Sequence, residues 1–167
     1  MKHVGRLLWL APFAVHVAYL LASSAQLPPG LGAAPGEAGT SPRLFLVEWL
    51  TVVGLANAAL LLVHVRLPRF GDRMLSVPRK ELWLGSAAPR AELVERLRGF
   101  VETALLLLNV FFLAVYQSIY QANAPRPALA LPVEALAVGF MGVPILLILL
   151  AFAALLRRLR RGPAATP

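Results

Sequence analysis

Residues 66–98 read RLPRFGDRMLSVPRKELWLGSAAPRAELVERLR, and this basic segment separates the second and third long apolar runs of the chain. It holds eight of the sixteen Lys and Arg residues. Pro68, Gly71 and Pro78 interrupt helical structure within it. Because loops rich in Lys and Arg stay on the cytoplasmic side of a membrane, the segment predicts which way the neighbouring helices point.

The apolar residues outside this segment fall into four runs, each long enough as a helix to cross a hydrocarbon core of roughly 30 Å. The runs cover about residues 7–25, 44–65, 99–120 and 131–156. They are apolar on all sides, whereas the helices of a soluble bundle carry one apolar stripe. The chain is 59% hydrophobic and 14% charged, against about 25% charged residues in soluble domains.

This pattern predicts an all-α integral membrane protein with a single domain over residues 1–161. We expect an antiparallel bundle of four transmembrane helices with short outer loops, a basic cytoplasmic loop at 66–98 and a disordered tail at 162–167. Fourteen Lys and Arg residues lie at the N-terminus, in the basic loop and after the fourth span, and two lie in the other loops. Both termini are therefore predicted to be cytoplasmic.

The composition also excludes several functions. The net charge of +8 comes from residues at the ends of the spans, so it does not indicate a nucleic-acid partner. The absence of cysteine excludes disulfides and thiol catalysis. No hydrolase, kinase or metalloprotease spacing is present, and we predict neither enzymatic activity nor a cofactor. His16 and His64 lie at different depths, which disfavours a haem between them.

The first span has two interpretations. A basic start, an apolar run and Ser23-Ser24-Ala25 are also typical of a cleavable signal peptide. However, His16, Tyr19, Ser23 and Gln26 share one helix face. Such a polar stripe favours a retained helix that packs against the third span.

Polar residues repeat along one face of that third span. Glu102, Asn109 and Tyr116 follow one another at intervals of seven. Near mid-membrane, Asn109 is predicted to hydrogen-bond Asn57 of the second span. Near the cytoplasmic end, His64 and Glu102 are candidates for a proton-sensing or proton-relay pair. The alternative is that both side chains extend separately towards the interface.

The basic segment carries a candidate membrane anchor. Trp83 lies close to Arg79 and Lys80, and tryptophan is enriched at headgroup depth. We expect residues 79–84 to form an irregular stretch on the cytoplasmic membrane surface, with the two cations on anionic headgroups. The alternative is that Trp83 packs into the end of the bundle. In the fourth span, Pro144 is predicted to kink the helix.

The piece Ser76 to Leu84, SVPRKELWL, resembles the (N/I)-P-N-K-(D/E)-Y-W-L segment of a class of uncharacterised bacterial multi-pass membrane proteins. Their domain of unknown function also occurs at the start of SdpI-type immunity proteins. The resemblance implies a location in the bacterial inner (plasma) membrane. This chain departs from the pattern in two ways: Arg79 replaces the usual Asn, and the first loop lacks the usual His-Phe pair and Trp.

Two functional hypotheses follow. The first is a non-catalytic membrane protein that acts through a partner in an immunity, regulatory or envelope-stress role, with the basic loop as its working surface. The second is a small proton-coupled carrier assembled as a homo-oligomer, motivated by the polar face of span three and the Gly-Pro break in span four.

Overall fold

The computed structural model describes residues 11–31, 39–124, 130–132 and 135–163, and these are almost entirely helical. The elements are α1 (Ala11–Ser24), α2 (Pro42–Arg66), a 3-10 turn (Leu67–Arg69), α3 (Lys80–Leu84), α4 (Ala87–Asn123), a π-helix (Ala135–Gly142) and α5 (Val143–Arg161). Within the described ranges there is no β-sheet, only an isolated bridge between Leu31 and Thr40.

Among the residues that the structure describes, three helices are long and apolar enough to cross a membrane. They are α2 with its following turn, α4, and the π-helix continued by α5. The described part of α1 is also apolar but has only 14 residues. The rest of the predicted first span, residues 7–10, lies outside the described residues, as does most of the predicted disordered tail. The chain is thus all-helical with three candidate membrane-crossing helices.

Helix α4 is the centre of the arrangement, because every other described helix packs against it. Helix α1 also contacts α2, whereas α2 and α5 do not contact each other. The described helices therefore surround α4 and do not close into a four-membered ring. Gly54 of α2 has open space where a Cβ would be. Gly54 and Ala58 are small residues four apart, a spacing that allows close helix approach, but no described helix approaches α2 closely at Gly54.

The ends of α2 and the start of α4 follow from local sequence. Ser41 accepts a hydrogen bond from the Leu44 amide at 3.2 Å, a standard N-cap. Helix α4 begins after Ser86, and Pro89 lies in its first turn. Residues 91–98, whose alternating charges predict a solvated helical turn, continue into the third span as one helix of 37 residues, which is about 55 Å long. Much of the basic segment is therefore helical.

The fourth apolar run changes its helical form where the sequence predicts a break. Residues 135–142 form a π-helix and α5 starts at Val143. Pro144, at the start of α5, has no N–H to donate to the preceding turn. Helix α5 ends at Gly162, whose φ of 91° is accessible to glycine without steric cost.

Candidate functional site

The best-defined polar contact between helices joins α2 and α4. The Asn57 Nδ2 donates to Asn109 Oδ1 at 3.1 Å, and Asn109 Nδ2 donates back to Asn57 Oδ1 at 2.7 Å. The second proton of each amide goes to a carbonyl of its own helix, that of Val53 or Leu105, at 2.8 Å. Both side chains are buried. The predicted amide pair is confirmed, and all its donors are satisfied.

His64 and Glu102 lie two turns closer to the basic end. The His64 Nε2 is 2.8 Å from Glu102 Oε1, and both side chains are partly buried. Arg98 Nε also donates to the His64 carbonyl at 3.3 Å. The structure therefore brings the two candidate residues together, contrary to the alternative in which they extend separately.

At the opposite end of α4, His16 and Tyr116 belong to an aromatic cluster. Trp49 Nε1 donates to His16 Nε2 at 3.1 Å, so the neutral imidazole carries its proton on Nδ1. Within the described part of the chain, the buried Nδ1 has no hydrogen-bond partner. The Tyr116 ring stacks on Phe45 at 6.2 Å between centroids. These rings close the junction of α1, α2 and α4.

The polar stripe of α1 meets α4, as the sequence predicts for a retained first helix. Ser23 Oγ is 2.7 Å from the Tyr116 hydroxyl. The Tyr19 hydroxyl donates to Gln117, and the Tyr120 hydroxyl donates to Gln26. In this way, each polar side chain of the stripe bonds to a side chain of α2 or α4.

Trp49 and Gln117 both contact the α1 stripe, and neither was predicted from the sequence as part of this cluster. A polar side chain within an apolar helix was the available signal for Gln117. Gln117 also donates to Gln121 at 2.7 Å, and Gln121 holds both the amide and the carbonyl of Leu131 at 2.7 and 2.9 Å. Trp49 lacked such a signal, because a tryptophan near a span end is typical of the membrane interface.

The expected membrane anchor is wrong in one main respect. Trp83 is 0% exposed, and its Nε1 donates to the Leu159 carbonyl of α5 at 3.0 Å. The Arg96 guanidinium lies 5.2 Å from its ring centroid, within cation–π range. Trp83 is thus a core residue. Its indole can be buried because the N–H has a carbonyl partner there. Lys80–Leu84 is also a short helix instead of an irregular stretch.

The two cations beside Trp83 occupy the start of α3. Arg79 is exposed and adopts φ 53° and ψ 47°, the left-handed helical region. Asn is several-fold enriched there compared with most residues. Lys80 is partly buried. The asparagine expected at position 79 from the resemblance would suit this backbone, and arginine does not.

The polar side chains of these clusters mostly form hydrogen bonds with one another. Within the described residues no group of three or more His, Asp or Glu side chains is placed to hold a metal ion. The buried polar side chains instead connect α1 and α2 to α4. Chemically, the arrangement provides interhelical hydrogen bonds and one imidazole–carboxylate pair.

Comparison with known proteins adds no identity. No family model, no curated protein and no solved structure matches the chain.

Proposed function

We propose that the chain is a non-catalytic integral membrane protein that acts through a partner at its basic end, in an immunity, regulatory or envelope-stress role. The supporting observation is how its buried polar side chains are used. Asn57 with Asn109, and Ser23 with Tyr116, bond one helix to another. Interhelical bonds of this kind stabilise a bundle and leave the binding role to the surface.

The proposal includes four spans, with α1 as the first, and a location in the bacterial inner membrane. Both termini and the basic segment lie in the cytoplasm, in line with the distribution of Lys and Arg. The partner surface is the stretch between α2 and α3, where Arg69, Arg73 and Met74 are exposed. Its positive charge suits an acidic surface of a second membrane protein. The resemblance to the start of SdpI-type immunity proteins supports the same role.

The test is site-specific photocrosslinking in native membranes. A photoreactive residue at Met74, which is 67% exposed, is compared with one at Leu149 on α5, which is 60% exposed. We expect a discrete protein adduct from Met74 that is lost in Arg69→Gln/Arg73→Gln, and only lipid adducts from Leu149. Lipid adducts alone from both positions would contradict a partner at this surface.

A second candidate is a proton-coupled carrier assembled as a homo-oligomer. The contact between His64 and Glu102 favours it, because paired ionisable residues at membrane depth are typical of proton relays. Four helices provide a thin wall for a solute path, so this function requires at least a dimer. Proton entry into the lumen of proteoliposomes under an imposed pH gradient, abolished by Glu102→Gln, would support the carrier. A strictly monomeric protein in nanodiscs would count against it.

A further inference from the structure

The basic end of the molecule has two adjoining cavities beside α4 and α5. The first, of about 380 Å³, runs along facing residues of the two helices, including Phe100 and Ala154. The second, of about 430 Å³, is lined by three arginines and by the end of α5. Arg96 and Arg158 line both cavities, so an apolar cavity and a basic cavity share one boundary.

The basic cavity has an excess of positive charge. Arg96 donates to Glu92 one turn earlier in α4, which neutralises part of its charge. In the described part of the chain, no carboxylate pairs with the other two arginines of the cavity, Arg158 and Arg161. Guanidinium groups bind phosphate oxygens in a bidentate manner. This cavity therefore suits a phosphate group.

Between its arginines, the other cavity is lined by apolar side chains of α4 and α5. Ala151 and Ala154 are small residues of α5 that leave space beside α4, and Phe100 forms part of the wall. The Thr103 hydroxyl, which also lines this cavity, donates to the Gly99 carbonyl at 2.9 Å. Its donor is thus used within its own helix. The cavity lies between two helices that are apolar enough to cross a membrane, so a hydrocarbon chain fits its surroundings.

We propose that the α4–α5 site binds one acidic phospholipid, with the phosphate on the three arginines and an acyl chain in the apolar cavity. A phospholipid supplies both a phosphate for the basic cavity and an acyl chain for the apolar cavity, whereas free phosphate supplies only the first. Basic pockets between transmembrane helices bind acidic headgroups in this way. The proposal rests on the membrane location given above, and not on the partner-binding role. The expected anchor at Arg79 and Lys80 is a separate surface.

The test uses the full chain in phosphatidylcholine nanodiscs that contain a minor fraction of phosphatidylglycerol. Retained phosphatidylglycerol is counted by native mass spectrometry. The variant Arg158→Gln/Arg161→Gln is compared with Arg157→Gln/Arg160→Gln, which removes the same charge from residues of α5 that do not line the cavity. We expect retention to fall about tenfold in the first variant, because each basic residue contributes to headgroup binding, and to stay unchanged in the second.

Two further measurements examine the apolar half and the choice of ligand. Ala154→Leu fills the cavity without a change in charge, and Ala153→Leu adds the same volume at an exposed position that does not line it. Only Ala154→Leu is expected to reduce retention. Glycerol phosphate, the headgroup without chains, is expected not to displace the lipid at millimolar concentration.

Several outcomes would overturn the site. Equal loss in the two arginine variants would indicate diffuse attraction to the whole basic end. Displacement by glycerol phosphate, or equal retention in the two leucine variants, would show that the acyl chain is not recognised. Thermal unfolding in pure phosphatidylcholine checks that each variant folds. A chain that fails to enter nanodiscs would contradict the proposed membrane location itself, which is a different result.

Discussion

The side-chain amides of Asn57 and Asn109 bond to each other and use all of their N–H donors. Removal of one amide leaves the other without its partner in an apolar surrounding, which is costly. In a double-mutant cycle with Asn57→Ala and Asn109→Ala, we expect a coupling free energy of about 1 kcal/mol, measured by unfolding in mixed micelles. Thr103→Ala is the control, because that hydroxyl bonds only within its own helix. Additive effects of the two Asn variants would contradict this account.

Arg79 has a backbone conformation that disfavours its side chain. A left-handed helical conformation costs roughly 1–2 kcal/mol for most L-residues, and Arg79 is exposed and makes no capping hydrogen bond through its side chain. Arg79→Gly is therefore expected to raise the free energy of unfolding by about 1 kcal/mol, with a smaller gain for Arg79→Asn. Arg79→Ala removes the charge but keeps the strain, and serves as the control. A gain as large in Arg79→Ala would show that charge, not backbone strain, limits stability here.

Helix α3 is only five residues long, and its position depends on Trp83. The indole is buried and bonded to the end of α5, so lipids should not reach it. With Trp9 and Trp49 replaced by Phe, we expect the Trp83 emission to be insensitive to quenchers on the headgroups of neutral lipids. The control is Leu82→Trp combined with Trp83→Phe. Leu82 is 45% exposed, so an indole introduced at this position should be quenched. Quenching of Trp83 itself would restore the interfacial interpretation.

The sequence predicts elements better than their contacts. The second span was expected at 44–65 and α2 covers Pro42–Arg66, because apolar runs and prolines act locally. The similar depth of Asn57 and Asn109, both near mid-membrane in their spans, also predicts their contact. By contrast, the hydrogen-bond partner of Trp83 lies 76 residues away in the sequence, and a local sequence pattern does not predict a contact over that separation. The same holds for Trp49, which meets His16 across 33 residues.

The unbroken length of α4 follows from local patterns, because Pro89 suits a first helical turn and the charges of residues 91–98 predict a helical turn that leads into the third span. No helix-breaking residue other than Gly99 separates the charged turn from the apolar span. Backbone hydrogen bonds therefore continue through the change in polarity. As a result, α4 rigidly connects the amide pair within the bundle to the basic end, where Arg96 and Trp83 pack.

The arrangement of all helices around α4 gives the molecule two chemically different ends. The basic end holds a cluster of aliphatic side chains around Trp83, with arginines outside it. The other end holds tyrosines, glutamines and Trp49 around His16. Most cations lie at the basic end, whereas Arg43 is the one described basic residue at the other end. This is the kind of asymmetry that the positive-inside rule describes for membrane proteins.

Orientation can be tested directly because the natural chain has no cysteine. Ala122, at the neutral end of α4, and Met74, beside the basic end, are both exposed. In intact cells, an impermeant thiol reagent should label Ala122→Cys and leave Met74→Cys unlabelled until the membrane is permeabilised. Both positions lie outside the paired polar side chains, so neither substitution should disturb the bundle. Labelling of Met74→Cys alone would reverse the orientation, and labelling of both in intact cells would mean that α4 does not cross the membrane.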